Sequence, residues 1–285
     1  MRIDDWRLLP ITELYKKPHL SISSAKTYTA CPHSYKLQSI DRVGRTQPTS
    51  TPMEIGSVTH AVLDYCNDHR VRFKYYPTLE NILFVSRKYI EASVVFTPAE
   101  KSKLVTEVVN MVLTYLQTIA SLVEPVLYEE KFLIERTHDE LRLHGIIDLT
   151  EDVALWDYKV TGKPVEAAIL HSDQLHCYAL AFRLFAGHWP ERIGIINLVR
   201  RGKVTQLAIP VDHKNVVRTL DTLGKVWESI KAARFEPRTG LHCRNCNFAA
   251  PPVVAAQVTP VAVQKPHCQV GAEFLQSNPS LTPTH

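Results

Sequence analysis

The sequence predicts an α/β protein with a mixed central sheet and a helical insertion ahead of it. Three observations predict this. The hydrophobic period changes at Pro125, from helical stripes to strand-like runs. Two apolar, β-branched segments, Leu141 to Leu149 and Val153 to Tyr158, flank the polar residues Thr150, Glu151 and Asp152 and form a hairpin. After the hairpin the order is helix, strand pair, helix.

Residues 1–18 form a loosely ordered lead-in. Ser21 through Ser24 is a helix-start signal, and a helical pattern runs from there to about Ile40. Residues 41–52 carry Gly, Pro, Ser and Thr and form a loop. A second helix begins near Met53, passes His60 and ends at about His69. Pro77 breaks the chain. Helical patterns follow over Leu79 to Ala92 and Pro98 to Leu122, the latter with Leu104, Val108, Met111, Val112 and Tyr115 on one stripe. The helices between about residues 70 and 124 constitute the insertion. Val126, Tyr128, Phe132 and Ile134 open the β region. Pro164 to about Ala186 is helical. Ile193 to Val199 and Val204 to Ile209 pair across the turn Arg201-Gly202-Lys203. Asp212 caps a helix to about Ala233. Residues 249–285 are nearly uncharged and rich in Ala, Val, Pro, Gln and Thr, which predicts a disordered tail after a folded domain over residues 19–248.

The 285 residues are 45% hydrophobic and 22% charged, the balance of a globular protein. A formal net charge of +4 permits a nucleic-acid partner without requiring one. Basic residues group at Arg42 and Arg45, at Arg70, Arg72 and Lys74, and at Arg200, Arg201 and Lys203; each group taken singly suits a solvated face. No apolar run approaches the ~18 residues of a membrane span. The start, MRIDDWRLLP, has early acids and no long apolar stretch, so no secretory signal and a cytoplasmic location are expected. In that reducing compartment the six cysteines suit ligands or buried side chains better than disulfides. Cys66 and Cys177 lie in apolar helices and are expected to be buried.

Asp148 and the run Asp157-Tyr158-Lys159 place two carboxylates and a lysine on the hairpin. With Glu151 and Asp152 in the turn, Asp148 pairs with Leu155. Asp157 is then its diagonal neighbour on the same face, roughly 7–8 Å away. Two converging carboxylates can bridge Mg²⁺ or Mn²⁺ at roughly 2 Å per oxygen. Lys159, two residues on, faces the same ion and can position a water or neutralise a scissile phosphate. The plainer alternative is a solvated polar face. Against it stands the apolar surrounding, where unpaired carboxylates are costly.

Other candidates stand around this hairpin. His60 lies on the second helix and is acceptable to Mn²⁺ beside carboxylates, although a lone helical His is more often structural. Glu129, on the first strand of the β region, can add a carboxylate, with Glu130 pointing the other way. Gln174 and Tyr178 are four apart on a helix and share a face. They suit hydrogen bonding to a phosphate or to Lys159, or simply an amphipathic helix. Cys243 and Cys246 form Cys-x-x-Cys, which can chelate a metal or one iron of a cluster, with Cys31 and Cys268 as further ligands.

The ordered set SISSAKTYTACPHSYKL, GSVTH, HGIID, WDYKVTGKP, QLHCYAL and CRNCNF resembles the RecB-like branch of the PD-(D/E)XK nuclease superfamily, above all CRISPR-associated RecB-type exonucleases and AddB-type nuclease domains. The resemblance runs from about Leu20 to Phe248 and is weakest over the helical insertion. It implies a restriction-endonuclease-like core and a metal-dependent deoxyribonuclease of exonuclease type, acting on DNA in repair, recombination or CRISPR adaptation. It implies that His60, Asp148 and Asp157 hold Mg²⁺ or Mn²⁺ and that Lys159 is catalytic, with Gln174 and Tyr178 in the motif after it. It also implies a [4Fe–4S] cluster on Cys31 and three C-terminal cysteines. Here the chain departs from the pattern, since after Cys246 the next cysteine is Cys268. Three arrangements stay open: Cys268 as fourth ligand, a non-cysteine ligand or zinc, or a lost cluster. With no helicase P-loop in the sequence, unwinding would come from a helicase or a CRISPR adaptation partner. Two alternatives of other classes are a non-cutting nuclease-fold protein that binds DNA or a protein, and a structural metal protein built on the cysteines alone.

Overall fold

Local sequence signals set most helix boundaries in the computed structural model, which describes residues 3–43, 49–249 and 268–277. After β1 (Trp6–Leu9) and the two-residue β2 (Leu20–Ser21), α1 (Ile22–Ala30) opens on a capping box. Ser21 Oγ accepts from Ser24 N at 3.0 Å, and Ser24 Oγ accepts from Ser21 N at 2.9 Å. The helix expected to reach Ile40 is interrupted at Cys31, which is extended because Pro32 follows it. It resumes as α2 (Pro32–Tyr35) and a π-helical turn, Lys36–Ile40. α3 (Thr51–Phe73) begins with Pro52 in its first turn and outlasts the expected end. α4 (Leu79–Ala92) has the expected bounds, and α5 (Pro98–Thr118) starts at a Thr97–Glu100 capping box. α6 (Asp173–Ala186) starts later than expected, after a 3₁₀ turn at Ala167–His171, and closes on Gly187 at φ +83°. Asp212 Oδ1 accepts from Lys214 N at 2.9 Å and starts α7 (His213–Lys231). α8 (Gln269–Gln276) lies inside the tail expected to be disordered; most of that tail is outside the described residues.

The chain divides into two compact units, residues 1–19 with 49–221 and residues 20–48 with 222–285. The first contains β3 (Leu127–Arg136), β4 (Arg142–Thr150), β5 (Ala154–Thr161), β6 (Arg192–Val199) and β7 (Val204–Pro210). With β1 they form a mixed sheet in the order β1-β3-β4-β5-β6-β7. Among the described ladders of that order, β5 and β6 alone are parallel, joined by the crossover through α6. The expected lead-in thus contributes a strand: Trp6 pairs with Arg136 and Leu9 with Leu133. On one sheet face, Val62, Cys66, Val108, Val112 and Tyr115 of α3 and α5 join Trp156, Tyr158, Ile196 and Leu198 in the main core. Side chains alternate along a strand, so Asp157 and Lys159 face the other side, toward α6.

The hairpin forms, in a register two residues from the expected one. Leu149 pairs with Trp156 and Thr150 with Leu155. Continuing that register sets Asp148 across from Asp157, not Leu155. The cause lies in the turn. Glu151 N donates to Ala154 O at 2.8 Å, so Asp152 and Val153 are its central residues. Glu151 is tied down on both oxygens, accepting from Glu124 N at 2.9 Å and from Trp156 Nε1 at 2.8 Å. A two-residue shift keeps every side chain on its face, so both acids stay together.

In the second unit, Tyr28, Tyr35 and Phe235 pack ring against ring, and Tyr28 Oη donates to Arg234 O at 2.6 Å. Leu37, Phe248 and Cys268 form a small apolar cluster.

Gly194, in the interior strand β6, leaves room for the Trp156 ring. A Cβ there would meet that ring and Leu207 O, the latter at 2.5 Å. Backbone cannot yield cheaply, so Gly194→Ala should lower stability by about 2 kcal/mol in urea unfolding. An unchanged midpoint would contradict this packing.

Candidate active site

The site grows from the place where β4 and β5 part. No ladder pair joins them beyond Leu149 and Trp156 among the described residues. Asp148 fills the gap with its side chain: Oδ2 accepts from Tyr158 N at 2.7 Å. A carboxylate thus replaces a backbone carbonyl as partner of that amide. Its other oxygen lies 3.4 Å from His60 Nδ1.

Asp157, across the gap, is 3% exposed. Oδ1 accepts from Gln174 Nε2 at 2.9 Å. Oδ2 faces Lys159 Nζ at 2.6 Å as an ion pair, but takes no hydrogen bond of good angle. Gln174 Nε2 also lies 2.9 Å from Tyr178 Oη, so the two α6 residues act as one bracket behind Asp157. Burial pushes the Asp157 carboxyl up to about 6, and the Asp148 charge adds to this against the pull of Lys159. Burial likewise raises the Tyr178 hydroxyl and keeps it protonated. The bracket depends on Gly145 of β4. A Cβ there would stand 2.8 Å from Phe132 Cε1 and 2.9 Å from Tyr178 Cε1.

α3 supplies the third side. The His60 ring stands edge-on to Tyr158, with 6.1 Å between centroids. Burial lowers its pKa, but hydrogen bonding and charge from Asp148, with charge from Asp157 and Asp64, outweigh that and leave it raised. Asp64, one helical turn on, escaped the sequence reading. Burial, Asp148 and Glu129 push its carboxyl up to about 7. The signal for it was its spacing of four from His60, which puts both on one helix face. Glu129 is exposed and stands at the β3 position level with Asp148, unpaired in the ladder and at φ +47°. A left-handed non-glycine residue inside a strand is costly and clusters at functional sites.

Among the described residues, no three His, Cys, Asp or Glu side chains already converge on a coordination geometry. The donors nevertheless fit a divalent ion. The buried Asp157 Oδ2 lacks a well-angled hydrogen bond, and among the described residues the two facing carboxylates form ion pairs with His60 and Lys159 alone. Oxygen donors with one imidazole suit Mg²⁺ or Mn²⁺.

Cys31, Cys243, Cys246 and Cys268 lie apart in sequence from these acids, in the second unit. None is in a disulfide, and Cys31, Cys243 and Cys268 are buried. Arg238 N donates to Cys31 Sγ at 3.4 Å. Burial raises the Cys243 thiol, with Cys246 and Cys31 near enough to add to it. Cys66 and Cys177 are fully buried, each pushed up to about 12 by burial, as inert core thiols.

The sheet, its crossover helix and the acid–lysine hairpin define an α/β nuclease-like protein. Residues 19–250 match the model of the PD-(D/E)XK nuclease superfamily, and the chain belongs to that superfamily of phosphodiester hydrolases. Its members generally use divalent metals such as Mg²⁺. A crystal structure of a candidate exonuclease from Eubacterium rectale aligns with a TM-score of 0.56 at 13% identity, over 88% of this chain and 96% of that one, and shows the fold. The structure of SSO0001 aligns at 17% identity over 70% and 86%, with a TM-score of only 0.32. No curated protein matches the chain. Among the described residues, no helix is long and apolar enough to cross a membrane.

One outcome follows from the charge balance and one from the packing. The unfolded chain ionises Asp157 near the ordinary 3.8, the folded one only near 6, so rising pH across that window favours unfolding. In the metal-free protein, Asp157→Asn should therefore be more stable than wild type at pH 8, with the gap closing below about pH 4. Equal denaturant midpoints at both pH values would sink this. Gly145→Val should displace Tyr178 and cost about 1–3 kcal/mol on thermal unfolding.

Proposed function

We propose that this protein hydrolyses DNA phosphodiester bonds with a divalent metal and acts as an exonuclease. The observation that carries this reading is the convergence of Asp148, Asp157 and Lys159 where the hairpin splays. The superfamily supports a nuclease, and the likeness to a candidate exonuclease agrees with the finer class.

In this reading Asp148, Asp157 and His60 hold Mg²⁺ or Mn²⁺, with Glu129 and Asp64 at the rim. When bound, the ion supplies Lewis acidity and charge neutralisation at the scissile phosphate. Gln174 fixes the Asp157 carboxylate through Oδ1 and leaves Oδ2 as the donor. Tyr178, protonated, holds Gln174. Lys159 Nζ leaves Asp157 for the substrate, stabilises charge on the phosphate and positions the water for in-line attack. Asp148 keeps the gap open through Tyr158 N.

Assays on single- and double-stranded DNA with Mg²⁺ or Mn²⁺ test this. Wild type should cleave, EDTA should stop it, and Lys159→Ala should lose about 10²-fold or more. If wild type and Lys159→Ala are equally inert, the enzyme reading fails. DNA binding without cleavage would favour the non-cutting accessory factor.

We infer further that Cys31, Cys243, Cys246 and Cys268 form a separate ligand set, with a [4Fe–4S] cluster as its occupant. Their shared unit and the Cys-x-x-Cys spacing support it. Anaerobically purified protein should then show an iron–sulfur absorbance band and bound iron. Zinc alone, or no metal, would remove the cluster. A cytoplasmic setting, and a helicase or CRISPR adaptation machinery as partner, belong to the same reading.

A further inference from the structure

The basic turn between β6 and β7, a solvated face by sequence, borders an open cavity. The cavity measures about 330 Å³ and is lined on α5 by Lys103, Glu107, Asn110 and Met111 and on the turn by Arg201 and Gly202. Glu107 is buried at 8% exposed, with Oε1 2.5 Å from Arg200 Nε and Oε2 3.7 Å from an Arg201 guanidinium nitrogen. One buried carboxylate therefore holds two guanidiniums in place and leaves a positive excess. Lys103 adds a third cation, with no ion-pair partner among the described residues. Among the described residues, Glu107 is the only acid that lines the cavity.

The turn's backbone strengthens the case. Arg201 sits at φ +57°, where an arginine costs more than the glycine that follows it. A long cation stands at the position that glycine would fill most cheaply.

The place of the cavity suggests its ligand. β5 and β6 are parallel, and Thr161 pairs with Val199. Arg200 N then donates to Thr161 O at 2.8 Å. The basic turn thus lies just past the end of β5 toward which Asp157 and Lys159 run, opposite the hairpin turn. From Asp157 to Thr161 is four residues, about 13 Å of strand. The cavity lies on the α5 face of the sheet and Asp157 and Lys159 face α6, so a strand held at both passes over the end of β5 and covers at least that span, about four nucleotides or more at about 3.4 Å each.

We propose that this cavity is a second binding site, which grips a backbone phosphate of a DNA strand a few nucleotides from the scissile bond. Lys103 and Arg201 contact the phosphate. Arg200 and Glu107 position Arg201. The inference rests on the nuclease reading for the strand's path but not for its own readout.

Fluorescence anisotropy with a labelled single-stranded 20-mer, in EDTA so that nothing is cut, tests it across a salt series. The variant is Lys103→Ala with Arg201→Asn, since asparagine tolerates the left-handed backbone. Each lost single-strand phosphate contact removes about 0.7 from the salt slope, so the double variant, which loses one phosphate, should remove about 0.7 and weaken binding about tenfold at low salt. Lys88→Ala, on α4 and outside the cavity, should leave both unchanged. Hydrolysis of bis(p-nitrophenyl) phosphate, too small to reach the cavity, should be equal in wild type and the double variant. If the double variant binds like wild type, or Lys88→Ala weakens binding as much, the second site is overturned. If the 20-mer binds as proposed yet neither substrate is cut, the nuclease reading fails and the site stands.

Discussion

One hydrogen bond organises the site, the 2.7 Å contact from Tyr158 N to the Asp148 carboxylate. A hairpin whose ladder continued would give Tyr158 N a carbonyl and leave no gap between strands. Because Asp148 accepts instead, β4 and β5 separate while the amide stays satisfied. The separation opens the face on which Asp157 and Lys159 lie. It also draws His60 of α3 to the free oxygen of Asp148. The same residue is structural and chemical at once, which ties the fold to any reaction performed there.

The charges around that contact are arranged at a cost. Asp157 and Asp64 are both held well above the ordinary carboxylate range by burial and by neighbouring acids. Glu129 spends a left-handed backbone at the position level with Asp148. Lys159 and His60 offset part of this repulsion, each from a different element. A site that concentrates acids in a poorly solvated gap is less stable than an apolar one would be. The gain is strong attraction for a cation. The rest of the first unit supplies rigidity: Gln174 and Tyr178 brace Asp157, and Gly145 leaves them the space.

Much of this was legible in the sequence, for physical reasons. The β-branched runs around the hairpin and the i, i+4 spacing of Gln174 and Tyr178 are local signals; the hairpin forms and the pair shares a face, but Gln174 donates to Asp157 and Tyr178 and not to the expected Lys159. The register was not legible. Glu151 and Asp152 both suit a turn, and the choice was made by Glu124 N and the Trp156 indole, one of them 27 residues away. β1 was missed because Trp6–Leu9 is short and finds its partner at Arg136, far along the chain. Asp64 was missed because an acid on a helix is ordinary until a strand brings Asp148 and Glu129 beside it. The cavity under the β6–β7 turn needs both α5 and a parallel strand pairing, which no local pattern shows.

In the proposed function, Asp148 acts on the substrate through its charge as well as on the fold through its shape. Asp148→Asn separates the two, because an amide oxygen can still accept from Tyr158 N. The measurement is the cleavage rate on single-stranded DNA with saturating Mn²⁺, taken beside the thermal midpoint of the same preparation. The expected result is an unfolding midpoint close to wild type with cleavage reduced about 10²-fold or more. Cleavage at the wild-type rate by that folded variant would contradict it.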